Sequence, residues 1–376
     1  MSRRKWPKLA LCLLLSCLCL SACWDQRPIE ETGLISGIGI DKYPANPNLL
    51  NFTIAIPLFL EDKREAIKYD TLAADNLGQA EILWEHRNRG RFGSGKVGVV
   101  LFGEEVAQQG LSGFLDYLQL PQADDNAFVA VTKGRSDEVL RAKVPETERT
   151  PLHLQSLLRT AYREGHTVKS TVADLAMRVA VPGFDPILPL LQLQGENRVS
   201  LVGAALFQDA NMVGVLSQEE MQLFLTLFGK AAVVSLVPIV GITEQLAKPA
   251  VEVELHSPKV RIKPKLVDGE LQVGIELKAA YVLRNYSSKV NVSEKEPAEA
   301  ITRDIESYLQ LEFLQLLAKL QDLRVDPLGI GKRFRVSNYQ QFDPVSFREQ
   351  WAQATIDLKV ELQFVRIGAL HTTLGR

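Results

Sequence analysis

The alternation of apolar and polar positions is sharpest toward the C-terminus. Leu271, Val273, Ile275 and Leu277 alternate with polar or glycine positions, and Ile356, Leu358, Val360, Leu362 and Phe364 alternate with Asp357, Lys359, Glu361 and Gln363. A period of two sends successive side chains to opposite faces. Both stretches therefore predict strands with one buried and one wet face, as is typical of antiparallel sheet. Between them, Ile301, Ile305, Tyr308, Leu309, Phe313, Leu316, Leu317 and Leu320 recur at helical spacing. That stripe predicts a long amphipathic helix. Because the strands need a cover, the stripe is assigned to its own sheet rather than to a partner.

Upstream the pattern is a mixture. Apolar, β-branched runs at 33–43, 49–60, 96–103 and 126–134 predict strands, and residues 73–89 predict a helix with Leu77, Ala80 and Trp84 on one face. Residues 104–120 also read as helix. So do residues 150–165, with Thr150 as cap, Pro151 in the first turn, a stripe of Leu154, Leu157, Leu158, Ala161 and Tyr162, and Gly165 as the stop. Residues 198–220 predict a strand, a tight turn at 209–211, a second strand and a helix start. Ser217 with Glu220 three positions on forms a capping box there, Gly229 ends the helix, and 231–240 resumes as strand.

At 376 residues the chain is too long for one core. The expected class is α+β: three mixed α/β domains with largely antiparallel sheets covered by helices. The expected divisions are a signal peptide at 1–22, an N-terminal domain at 23–195, a middle α/β domain at 196–248, and a C-terminal domain of antiparallel sheet plus long helix at 249–376.

The cysteines change the picture. All four, Cys12, Cys17, Cys19 and Cys23, lie in the first 23 residues. Arg3, Arg4, Lys5 and Lys8 precede an apolar run from Leu9 to Leu20, the layout of an export signal. The run is too short to cross a hydrocarbon core that needs about 20 apolar residues. Leu20-Ser21-Ala22-Cys23 then reads as a lipobox: a large apolar residue, two small ones, and the cysteine whose sulfur takes a diacylglyceryl group before cleavage. Cys23 is thus the candidate lipidation site, the other three cysteines are discarded, and the mature fold needs no disulfide. Two or more acyl chains hold a protein stably at a membrane surface. Removing residues 1–22 shifts the formal charge from −2 to −6. Such a surface argues for anchoring by lipid and against a nucleic-acid partner.

Catalytic, metal and cofactor motifs are not found. Residues 90–98, Gly-Arg-Phe-Gly-Ser-Gly-Lys-Val-Gly, match both G-x-G-x-x-G and G-x-x-x-x-G-K. Val97 stands where a P-loop wants a hydroxyl. A helix also precedes the motif and a strand follows it, the reverse of a phosphate loop. His86, His153, His166, His256 and His371 are scattered without metal spacing.

Several segments, in order, resemble one family. Residues 23–42 pair the lipid cysteine with Trp24, Asp25 and Arg27 and reach Gly39, Ile40 and Asp41. Residues 101–111 resemble its strand-to-helix entry, and 201–230 its middle segment, with Gly203, Phe207, Gly214, Leu216 and Glu220. Residues 326–370 resemble its close, with Asp326, Gly329, Gly331, Trp351 and Gly368. On these segments the chain resembles the C subunit of bacterial spore germinant receptors, the GerAC-type or Ger(x)C family. The resemblance implies a non-enzymatic, lipid-anchored subunit in spore germination, without cofactor. It would sit on the outer face of the spore inner membrane beside two integral membrane subunits, one of them transporter-like. The alternative is a lipid-anchored solute-binding protein of a transporter, which would show two lobes of parallel βαβ units. An envelope hydrolase would need a catalytic constellation.

Overall fold

The computed structural model describes residues 32–59, 65–88, 91–93, 97–118, 126–145, 149–229, 233–236, 251–286 and 295–367. Its larger sheet has eight strands in the order β10-β9-β8-β7-β6-β2-β3-β4. These are β2 (Gly37–Lys42), β3 (Leu50–Phe59), β4 (Glu65–Ala74), β6 (Val99–Gly103), β7 (Phe128–Thr132), β8 (Ile187–Gln194), β9 (Arg198–Gln208) and β10 (Asn211–Ser217). The short strands β1 (Thr32–Leu34) and β5 (Arg91–Gly93) pair in parallel beside it.

The four central strands β2, β6, β7 and β8 run parallel, and the flanks are antiparallel. The parallel centre explains its composition. Helices pack on both faces, so β6 and β7 are buried at every position and read as continuous apolar runs. Their side chains still alternate between two cores. Val100 and Phe102 point into one, and Val99 and Leu101 into the other.

The helices of this region are α1 (Leu77–Arg87), α2 (Glu104–Gln109), α3 (Ser112–Leu118), α4 (Ser136–Leu140), α5 (Thr150–Arg163) and α6 (Val172–Ala180). The face expected on α1 holds, since Leu77, Ala80 and Trp84 are its buried residues. The single helix expected at 104–120 is broken at Gly110, whose φ of +117° suits glycine. Thr150 does not cap α5. It lies inside the helix, and its hydroxyl donates to the Ala142 carbonyl at 2.6 Å. The capping box at 217–220 is present. The Ser217 N–H donates to Glu220 Oε2 at 2.7 Å, and the Glu220 N–H donates to Ser217 Oγ at 3.2 Å. Helix α7 (Gln218–Phe228) then ends at Gly229 in the left-handed region.

The pairing of β8 with β9 carries the first sheet through residue 196, so the expected division there falls inside a hairpin. The expected division at 249 lies outside the described residues.

The second sheet has the order β11-β12-β13-β14, formed by Val233–Leu236, Val251–Val267, Glu270–Tyr286 and Thr355–Ile367. Asp268 and Gly269, with φ of 54° and 86°, make the tight turn of the β12–β13 hairpin. The alternating strands β13 and β14 run parallel, not antiparallel. A parallel pair needs a long crossover. Helices α8 (Lys295–Asp322), α9 (Ile330–Ser337) and α10 (Pro344–Ala352) provide it. Alternation reports one wet face, which a helix layer on the other face produces whatever the strand direction. The α8 stripe is buried against this sheet, with Tyr308 only partly covered. The same core takes in Leu206 and Leu216 from the first sheet and Met221 and Phe224 from α7. Counted over both sheets, the fold is α+β with antiparallel pairings in the majority.

Candidate functional site

Two buried carboxylate joints organise the described residues. The first closes the end of β2. Asp41, 2% exposed, accepts hydrogen bonds from the Ser136 N–H at 2.7 Å, the Ser136 hydroxyl at 2.9 Å and the Asp137 N–H at 2.9 Å. These are free donors at the start of α4, where an anion is favoured. Burial raises the Asp41 pKa against the pull of those donors. Gly39 belongs to the same joint, since a Cβ there would lie 2.8 Å from Ser136 Oγ.

The second joint lies where the two sheets meet. Asp326 is buried, and its carboxylate accepts from the Ile330 N–H at 2.9 Å and the Gly331 N–H at 2.6 Å, at the start of α9. Its own N–H donates to Asp185 Oδ2 at 2.7 Å, and the Asp185 N–H donates to the Asp326 carbonyl at 3.0 Å. Arg348 of α10 reaches Asp185 at 3.2 Å and Asp209 in the β9–β10 turn at 2.7 Å. From α6, Arg178 Nη1 donates to the carbonyls of Asp185 at 3.0 Å and Pro327 at 3.2 Å.

Glycine permits this approach. A Cβ on Gly183 would lie 2.7 Å from the Gly331 carbonyl carbon, and one on Gly331 would lie 2.5 Å from Phe347 Cε1. Gly329 has a φ of +71° and faces the Phe184 ring. Trp351 completes the joint, its indole N–H donating to the Val325 carbonyl at 2.9 Å.

The electrostatics follow from burial. Desolvation raises the Asp326 pKa to about 7, with the neighbouring Asp185 adding to the rise and the Gly331 and Ile330 N–H groups opposing it. Asp185 is also raised by burial, against the pull of Arg348. Burial lowers Arg178 to about 10, so it stays cationic at neutral pH.

Among the described residues, most of those that carry the family resemblance sit at joints. Besides Gly39, Asp41, Asp326, Gly329, Gly331 and Trp351, Gly214 faces Leu323 Cδ1 at a Cβ distance of 2.7 Å, and Glu220 accepts from Lys319 Nζ at 2.7 Å. These contacts tie the hairpin to Leu323, just past the end of α8, and α7 to Lys319 of α8. Ile40 and Phe207 are buried in the core of the first sheet, and Leu216 in the core shared with the second. Gly203 adopts φ +145°, close against the Leu216 carbonyl. Cys23, Trp24, Asp25, Arg27 and Gly368 lie outside the described residues.

The partners Ser136, Arg178, Asp185 and Arg348 are missed by the sequence reading. A signal that could have found them is the set of glycines at 183, 329 and 331, which the structure places in close approach near them. The phosphate-loop lookalike has α1 before it and β6 after it, and the Gln155 side chain occupies the space beside Gly98. His256 pairs with Glu254 at 3.1 Å, and His166 Nδ1 lies 3.4 Å from Gln222 Nε2. Among the described residues, no three His, Cys, Asp or Glu side chains gather as a metal site.

Comparison with known proteins agrees with this layout. The family profile described as "Spore germination protein N-terminal domain" matches residues 25–193, and "Spore germination B3/GerAC like, C-terminal" matches residues 202–368. The chain is 21% identical to "Spore germination protein KC" of Bacillus subtilis (strain 168), covering 96% of this chain and 95% of that protein. It is 20% identical to "Spore germination protein B3" of the same organism, covering 92% and 94%. Among solved structures, that of the GerBC protein superposes with a TM-score of 0.58 at 14% identity, covering 88% of this chain and 97% of that one. That likeness shows a shared fold. With both profiles matched in order along almost its whole length, the chain belongs to the GerAC-type, or Ger(x)C, family of spore germination proteins.

Proposed function

We propose that this protein is the lipid-anchored, non-catalytic C subunit of a nutrient germinant receptor. On this reading it is held through Cys23 on the outer face of the spore inner membrane, beside two integral membrane subunits, one of them transporter-like. The observation that carries the reading is the order of features. The lipobox Leu20-Ser21-Ala22-Cys23 stands directly before the first profile match, which begins at residue 25, and the second match runs to residue 368. Among the described residues no helix is long and apolar enough to cross a membrane. On this reading the lipid on Cys23 supplies the anchoring, at about 0.8 kcal/mol per buried CH₂. The polar joint sets how the two sheets meet, so that both present their surfaces to the partners in one arrangement.

The test is capture of the tagged chain from solubilised inner membrane of dormant spores, alongside a Cys23→Ala variant. The expected result is co-capture of two multi-span proteins by the wild type. The variant is expected to fold but to leave the membrane fraction and to impair germination. Retention of the variant in the membrane would defeat the anchoring claim. Recovery of an ATP-driven permease would make the protein a solute-binding lipoprotein instead.

A further inference from the structure

A cavity of about 330 Å³ opens beside the polar joint, and Arg178 lines both this cavity and the smaller one of about 150 Å³ at the joint itself. Its walls come from both halves of the fold. Helices α5 and α6 and the turn between them form one side, and Leu225 and Phe228 of α7 with Lys332 of α9 form the other. Volumes of about 300 Å³ and above at the meeting of two domains are typical of small-molecule sites.

The chemistry of the walls is selective. Arg178 is 6% exposed, and its Nη1 donates to two backbone carbonyls; among the described residues it forms no ion pair, and Asp174, Asp326 and Asp185 act on its charge only from a distance. Its Cζ lies 4.0 Å from the Phe184 ring centre and 5.4 Å from that of Phe228. Lys332 Nζ lies 5.0 Å from the same Phe184 ring and forms no ion pair among the described residues. Asp174, the cavity's carboxylate, is paired with Lys169 at 3.3 Å. The wall therefore keeps an excess of positive charge. Thr167 adds a second, independent sign. It is 2% exposed, lines the cavity, and its hydroxyl has no hydrogen-bond partner among the described residues. Buried hydroxyls are normally satisfied, so an orphaned one on a residue of the cavity wall marks a donor with an unmet bond beside the cavity.

We propose that this cavity binds a small organic anion, a monocarboxylate with a compact apolar body. Arg178, Lys332 and the Thr167 hydroxyl supply donors for the carboxylate, and Phe184, Phe228 and Leu225 supply the apolar surface. Because both halves line the cavity, the bound anion stabilises their junction and raises the melting temperature by mass action. The inference stands whether or not the chain is a receptor subunit.

The test uses the full chain purified in detergent, titrated by calorimetry with phenylacetate and isovalerate and, in parallel, with phenylacetamide and isovaleramide. The carboxylates are expected to bind and raise Tm, and the isosteric amides to bind at least about tenfold more weakly, the loss expected when a charged hydrogen bond becomes neutral. Lys332→Gln and Thr167→Val each touch the cavity without removing a structural contact of the joint. Both are expected to keep the unliganded Tm and to weaken carboxylate binding, Lys332→Gln by about tenfold. Absence of carboxylate binding at millimolar concentration, equal binding of the amides, or indifference of affinity to both variants would each overturn the proposal.

Discussion

Asp41 and Asp326 both sit beneath the first turn of a short helix and take its free N–H groups, yet their electrical surroundings differ. Asp41 works within one sheet. Three donors from Ser136 and Asp137 converge on it, and Arg135 lies close enough to feel its charge. Asp326 works between two sheets. It has two backbone donors and shares its site with a second acid, Asp185, while the Arg348 guanidinium reaches Asp185 rather than Asp326. The same capping device is therefore tuned differently. Within a domain it holds a carboxylate against three donors, which offset part of the cost of its burial. At the junction, the ionisation of one acid is tied to the position of another.

The comparison can be broken from either side. The largest effect is expected from Asp41→Ala, which strands three buried donors and is expected to cost about 3–5 kcal/mol of stability in chemical denaturation. Asp326→Ala strands two donors but relieves Asp185 of a neighbouring acid, so a smaller loss of about 2–4 kcal/mol is expected. A cost for Asp326→Ala above that of Asp41→Ala would refute the contrast. Arg348→Ala leaves Asp185 buried without its counter-ion. The expected loss is about 1–3 kcal/mol, limited because Asp185 takes up a proton instead.

The smallest and most diagnostic effect is a shift in the pH dependence. The folded-state pKa of Asp326, about 7, lies above its ordinary 3.8, so the folded state holds the proton more tightly than the unfolded chain. Its contribution to stability is complete below 3.8 and is lost as pH rises to about 7. Asp185→Asn removes the acid that adds to this rise, and is expected to move the loss to lower pH. Urea titrations of the two proteins across that range measure the shift, and coincident profiles would remove Asp185 from the account.

Which of these features the sequence revealed follows from distance along the chain. The Ser217–Glu220 box, the stop at Gly229, the buried face of α1 and the stripe of α8 were all legible, because each depends on residues within one or a few turns. Strands β4 and β8 were not anticipated. In β4, Glu65, Lys68 and Asp70 interrupt the apolar positions of a strand at the sheet edge, and in β8 Pro189 obscures the pattern. Helix α10 was missed because only Phe347 and Trp351 of its nine residues are buried, too few to show a stripe. Asp326, Gly329 and Gly331 were noticed through resemblance, but their purpose was not, since Gly331 matters through Gly183 and Phe347.

Periodicity and capping record which face of a segment is buried and where it starts and stops, since those depend on neighbours a few positions away. They do not record what the buried face meets. The bond from Ser136 to Asp41 spans 95 positions, and the one from Asp326 to Asp185 spans 141. The parallel course of β13 and β14, the hairpin that carries the first sheet past residue 196, and the cavity walled from both halves are of the same kind. Each is decided by which surfaces close on one another once the chain has collapsed, when desolvation makes a charge without a partner costly and only glycine leaves room for two backbones to touch.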